Sequence, residues 1–145
     1  MKVKLEIESI DADGQSSKIT TMAVMELRQY DFRLIYIEKV SDDGKLKANV
    51  ELIIAPHGMR IIRKGDLCSD FFYEENLKHN TTYQTPYGEM PITVETSSYD
   101  YSVCGGSLAG LSEVFEINVD IKYALYVASE DSLLMNVKMK VTNID

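Results

Sequence analysis

The sequence predicts an all-β chain, an antiparallel sheet of about 8–10 strands in up-and-down order that closes into a barrel. Three observations predict it. From Phe115 to Val127, and again from Leu133 to Val141, apolar residues fall on every second position, with Glu116, Asn118, Asp120 and Lys122, then Asn136, Lys138 and Lys140, between them. Successive strand side chains point to opposite faces, so each run has one dry and one wet face. Tight-turn signals recur between such runs, among them Asp42-Asp43-Gly44, Pro56-His57-Gly58 and Thr85-Pro86-Tyr87-Gly88. No segment carries a helical period or a capping box.

The first strand is Lys2 to Ile10, with Val3, Leu5 and Ile7 inward and Lys4, Glu6 and Glu8 outward. Asp11-Ala12-Asp13-Gly14 turns the chain. The second strand, Lys18 to Leu27, puts Ile19, Ala23, Met25 and Leu27 on one face, while Met22 and Val24 make the other face partly apolar. The third is Phe32 to Val40. Asp-Gly then tolerates the positive φ of a tight hairpin. The fourth is Leu46 to Ile54, with Leu46, Ala48, Val50, Leu52 and Ile54 inward. Pro56 presets φ for the next turn.

The fifth strand, Met59 to Lys64, ends at the turn Lys64-Gly65-Asp66. The sixth is Leu67 to Tyr73, and Glu74 to His79 is a polar connection. The seventh is Asn80 to Thr85. The eighth is Glu89 to Tyr101, with Met90, Ile92 and Val94 as its apolar face. Ser102 to Gly110 reads as the longest irregular stretch. The ninth strand, Ser112 to Val127, would span about 50 Å if straight, so it predicts a bulge or sharp bend. A turn at Ser129-Glu130-Asp131-Ser132 leads into the last strand from Leu133. Consecutive tight turns pair neighbours antiparallel. Such a sheet either splits into a sandwich or closes, and up-and-down order favours closure, which removes exposed edges.

The 145 residues fit one domain, a size that buries roughly 70% of the surface of the unfolded chain. The formal net charge of -8 opposes phosphate backbones and anionic membranes, so neither is an expected partner. The start alternates charged and apolar residues, unlike a signal peptide, and no run is long enough for a membrane helix. The expected compartment is the cytoplasm. Cys68 and Cys104 then read as free thiols.

Tyr83-Gln84-Thr85-Pro86-Tyr87-Gly88, followed by an alternating strand, resembles the Tyr-x-Thr-Pro-Tyr-Gly segment of the YwiB-like bacterial proteins. Leu34-Ile35-Tyr36-Ile37-Glu38 is similar to that family's Tyr-x-Glu strand, and Tyr123-Ala124-Leu125 before the last strand is similar too. The likeness runs in order over nearly the whole chain. It implies a lipocalin-like (calycin-type) β-barrel from a bacterium, in a family of unknown function. The stretch around Cys104-Gly105-Gly106 departs from the family pattern.

Most candidate chemistry dissolves on inspection. His57 and His79 read as exposed loop histidines without ligand spacing, so no metal and no cofactor are expected. Ser102-Val103-Cys104-Gly105-Gly106 has no visible base for a nucleophilic thiol and lacks the ending of a phosphate loop. Asp11-Ala12-Asp13-Gly14 lacks the later ligands of a calcium loop. Asp66, Asp70, Glu74 and Glu75 read as a solvated edge rather than an acid-base pair, so no enzyme is expected.

One cluster remains. Tyr83 shares a face with Thr85 and is placed to point inward with Tyr36 and Tyr123. Their hydroxyls need partners in an apolar interior, and Glu38, Arg63, water or a ligand would supply them. Tyr36, Glu38, Arg63, Tyr83 and Tyr123 are therefore the candidate ligand-binding residues, although both faces of the Tyr36–Glu38 strand are apolar enough to be buried. The expected function is binding of a small, partly apolar ligand inside the barrel. The alternative is a filled barrel that acts as an interaction or homodimeric assembly module through an outer face bearing Met22, Val24, Val114, Ala124 and Tyr126.

Overall fold

The computed structural model describes residues 1–41, 43–107, 110–127 and 132–144, the side chains of 106–107 and 110–114 excepted. Ten strands follow in order: β1 (Lys2–Asp11), β2 (Ser16–Leu27), β3 (Phe32–Lys39), β4 (Lys47–Ala55), β5 (Gly58–Gly65), β6 (Ser69–Glu74), β7 (Lys78–Thr85), β8 (Gly88–Ser107), β9 (Gly110–Val127) and β10 (Leu133–Asn143). They form one antiparallel sheet in the order β6-β5-β4-β3-β2-β1-β10-β9-β8-β7. Every sequence neighbour but one is a sheet neighbour, and β1 pairs with β10 from Val3↔Asn143 to Asp11↔Met135.

The sheet nearly closes between β6 and β7. There a single bridge joins Cys68 and Gln84, each N–H donating to the other's carbonyl at 2.9 Å. Asn76 N–H donates to the Thr96 carbonyl (2.8 Å) and Thr96 N–H to the Leu77 carbonyl (3.1 Å), which ties the β6–β7 turn to β8. The result is the predicted barrel and not a sandwich. No helix among the described residues is long and apolar enough to cross a membrane.

Period-two patterning becomes rows of inward side chains across the register. Leu34, Leu52, Ile61 and Phe71 make one row, and Phe32, Ile54, Met59 and Tyr73 the next. Leu34, Leu52, Ile54, Ile117 and Ile121 are fully buried, each worth roughly 1.5–3 kcal/mol relative to exposure. Tyr99 joins this core with its hydroxyl donating to the Ala55 carbonyl at 2.6 Å. Gly65 is required by geometry. It has φ +134°, and a Cβ there would lie 2.8 Å from the Lys47 carbonyl oxygen.

Three expectations need correction. Ile19 and Leu27 are not inside; they are 53% and 55% exposed. The β2–β3 ladder holds only from Val24↔Ile35 to Leu27↔Phe32, so β2 before Val24 has no β3 strand against it and Ile19 stays wet. The stretch from Ser102 to Gly110 is not a loop as far as it is described, because β8 runs on to Ser107 and β9 begins at Gly110. The glycines there hid a strand that has no side-chain alternation to reveal it. One irregularity falls on β8. Ser97 is an extra residue between Thr96↔Tyr123 and Ser98↔Lys122, and its hydroxyl donates to the Lys122 carbonyl. A second register shift, between Gly105↔Phe115 and Ser107↔Gly110, sets four residues of β9 against one of β8 and is the irregularity expected in the ninth strand. His79 stands within β7 and is half-buried. The turn expected at 129–132 lies outside the described residues up to 131.

Candidate functional site

One end of the barrel interior is not filled. A cavity of about 400 Å³ lies there, within the usual range for small-molecule sites. Its walls are apolar, with Ile7, Met59, Ile61, Ile92, Ile121 and Val137 among them. Its polar groups are few and convergent. Tyr36, Glu38, Arg63, Tyr83 and Tyr123, all five candidates from the sequence, line it together. The ambiguous β3 strand therefore resolves with Tyr36 and Glu38 inward and Ile35 and Ile37 outward.

The register shows how the strands assemble this layer. Tyr36 is opposite Val50, Val50 opposite Arg63, and Arg63 opposite Ser69, so four strands deliver one inward row. Glu38 lies one inward position further along β3. Its Oε2 accepts from Arg63 Nε at 2.8 Å. This pair retains some solvent contact, which moderates the cost of desolvating two charges. On the far wall Tyr73 and Tyr123 meet edge-on with centroids 5.0 Å apart. Phe71 stacks with Tyr83 at 6.1 Å across the β6–β7 seam.

The phenols are held protonated. Burial pushes Tyr36 up to about 12 against the pull of Arg63. Burial also raises Tyr73 well above its ordinary value, aided by the neighbouring Tyr123, and raises Tyr123 as well. Arg63 opposes the rise at all three tyrosines, so its charge sits among them. At physiological pH these hydroxyls are neutral hydrogen-bond donors and acceptors.

Two hydroxyls beside this layer are orphans. Ser69 Oγ and Thr96 Oγ1 are buried with no hydrogen-bond partner. Ser69 is opposite Arg63 and Thr96 opposite Tyr123. Sequence reasoning missed Tyr73 and Ser69. Both share the inward parity of Phe71, and that alternation was the available signal.

The other candidates fall elsewhere. Asp66 accepts from Lys47 N–H at 2.8 Å, and Asp70 is held by two bonds from Arg60 on the outer face. Both carboxylates are thus already partnered. His57 is exposed, and His79 Nε2 lies 3.0 Å from the Asp70 carbonyl oxygen. Cys68 and Cys104 are free thiols, as expected. Asp11 Oδ1 accepts from Asp13 N–H and Gln15 N–H, which makes its loop a plain turn. Among the described residues no group of three or more His, Cys, Asp or Glu is placed to hold a metal ion. A second hollow on the outside of β1, β8, β9 and β10 is lined by Glu6, Lys18, Asp120 and Lys140. Its side chains are charged and of mixed sign, with Lys18 and Glu6 3.7 Å apart.

The family model described as "Domain of unknown function (DUF1934)" matches residues 2–140. The ywiB protein from Bacillus subtilis, known from its crystal structure, is similar in fold, with a TM-score of 0.77 over 99% of this chain and 92% of that one. Sequence identity between them is 17%, so the likeness is one of fold. No curated protein matches the sequence.

Proposed function

The chain belongs to the DUF1934 family, and since that description names no activity, we propose from the cavity that the protein binds a small, partly apolar ligand inside its barrel. The observation that carries this reading is the cavity of about 400 Å³ at one end of the barrel, with apolar walls and a single convergent polar layer. A core meant only for stability would be packed to crystal-like density. A volume of about 400 Å³ has room for a small ligand of on the order of ten non-hydrogen atoms. The reading is of binding rather than catalysis, in the manner of a lipocalin-like barrel. It is tested by native mass spectrometry on protein purified gently from cells. A reproducible extra mass, released on unfolding, supports it. A clean unliganded mass in repeated preparations overturns it.

A second reading has its own observation. On the outer face Val24 and Ile35 are opposite one another and both exposed, with Met22 and Ile37 nearby on the same strands. This patch suits a homodimer of barrels. Light scattering at high concentration decides it: monomers throughout would remove the dimer.

A further inference from the structure

We propose that the cavity takes an apolar molecule with a single carboxylate head, received by the unpaired edge of the Arg63 guanidinium. The inference rests on the binding reading above and names its ligand class.

A guanidinium has five N–H donors and no acceptor capacity. Glu38 engages Nε, and among the described residues nothing accepts from Nη1 or Nη2. Those two nitrogens form a planar fork that matches the paired oxygens of a carboxylate. A second observation lies beside this fork. Ser69, directly opposite Arg63 on β6, is 7% exposed with no partner for its hydroxyl. A buried hydroxyl left unpaired costs about 1–3 kcal/mol, and Ser69 lies beside Arg63 rather than in the cavity wall itself.

The sign of the missing group follows from an inventory. Tyr36, Tyr73 and Tyr123 stay protonated and offer donors. Arg63 adds its free edge. Glu38 is the one acceptor-only side chain. The tyrosine hydroxyls can donate or accept, so the sign is set by the free edge of Arg63, a cationic donor pair that an amine would repel and a carboxylate satisfies. Charge sets the upper limit. Arg63 and Glu38 cancel, so one carboxylate leaves the layer at a single negative charge. A phosphate monoester would bring about −1.5 to −2 at neutral pH beside Glu38. The apolar wall formed by Met59, Ile61 and Ile121 then receives the remainder of the molecule.

The test is isothermal titration of the full chain with octanoate and with octanol, which share a chain of about ten non-hydrogen atoms and fit the capacity of the cavity. Octanoate is expected to bind roughly tenfold or more tightly than octanol. Arg63→Gln removes that preference and leaves octanol unchanged. Glu38→Gln, by removing the neighbouring negative charge, tightens octanoate. If Arg63→Gln fails to fold, the octanoate–octanol contrast and Glu38→Gln still decide. Octanol binding as well as octanoate overturns the head-group assignment and leaves the binding barrel standing. Binding of neither probe overturns both.

Discussion

Thr96→Val gives the sharpest reading of what the interior lacks. Thr96 is 1% exposed, and its Oγ1 has no hydrogen-bond partner. Its backbone bonds to Asn76 and Leu77 do not involve the side chain. Valine keeps the shape, keeps the β-branched preference for strands, and replaces the orphan hydroxyl by a methyl. Relief of an unpaired buried hydroxyl is worth about 1–3 kcal/mol, and a buried carbon adds up to about 0.8 kcal/mol. We expect stabilisation of about 1–3 kcal/mol, or roughly 3–9 °C in Tm at about 3 °C per kcal/mol for a chain of this size. Urea unfolding followed by far-UV circular dichroism measures it, with an unchanged m-value as the check that only stability moved. Thr93→Val on the same strand is the control. Thr93 Oγ1 donates to Asn80 Oδ1 at 2.7 Å, so its loss is expected to cost about 0.5–1.5 kcal/mol. Destabilisation by Thr96→Val of 1 kcal/mol or more, on the order of a net hydrogen bond, would refute the reasoning, because it would mean that the hydroxyl has a partner.

Three further outcomes follow from the same geometry. Tyr36 is pushed from 10.0 to about 12 in the folded state; the unfolded chain therefore loses this proton first as pH rises. Stability present below pH 10 is lost between about pH 10 and 12, by roughly 2–3 kcal/mol, and Tyr36→Phe flattens that loss in urea midpoints at pH 9 and 11. Tyr83→Phe keeps the stacking on Phe71 and removes one hydroxyl from the cavity, so titration with octanoate should show a roughly 2–10-fold loss of affinity with little change in midpoint. Gly65→Ala forces a Cβ against the Lys47 carbonyl at φ +134°, whereas Gly14→Ala meets nothing within 4 Å at φ +82°. We expect the first to cost several kcal/mol and the second about 1 kcal/mol, measured by the same unfolding curves.

Much of the barrel was legible because its strands pair with their sequence neighbours. Each hairpin is then a local decision, made by residues such as Asp43-Gly44 and Pro86-Tyr87, and period-two burial does the rest. Legibility failed where that coupling failed. Gly105 and the residues around it carry no alternation, so a continuing strand read as a loop. Ile19 has the right parity but no strand beside it, which no local pattern records. The candidate site was legible through Tyr36, Glu38, Arg63, Tyr83 and Tyr123 because unusual polar residues on dry faces announce themselves. Ser69 and Thr96 were not, since small hydroxyls are common on both faces. Their isolation is a property of the register between β5 and β6 and between β8 and β9, and it exists only after folding.

The ring of strands is interrupted in two different ways at two different places. Between β6 and β7 the backbone is continuous while the ladder is reduced to the Cys68–Gln84 bridge. Between β1 and β10 the ladder is full, from Val3↔Asn143 onward, while the chain is discontinuous. Covalent and hydrogen-bonded closure thus substitute for each other around the circumference. A force applied at the two chain ends would meet the β1–β10 ladder at its terminal rung and peel it pair by pair, never loading it in shear. The same adjacency makes the order of strands cyclic in space, so joining the ends and cutting at the β6–β7 turn would keep every ladder and move the chain break to the seam where the sheet is already open.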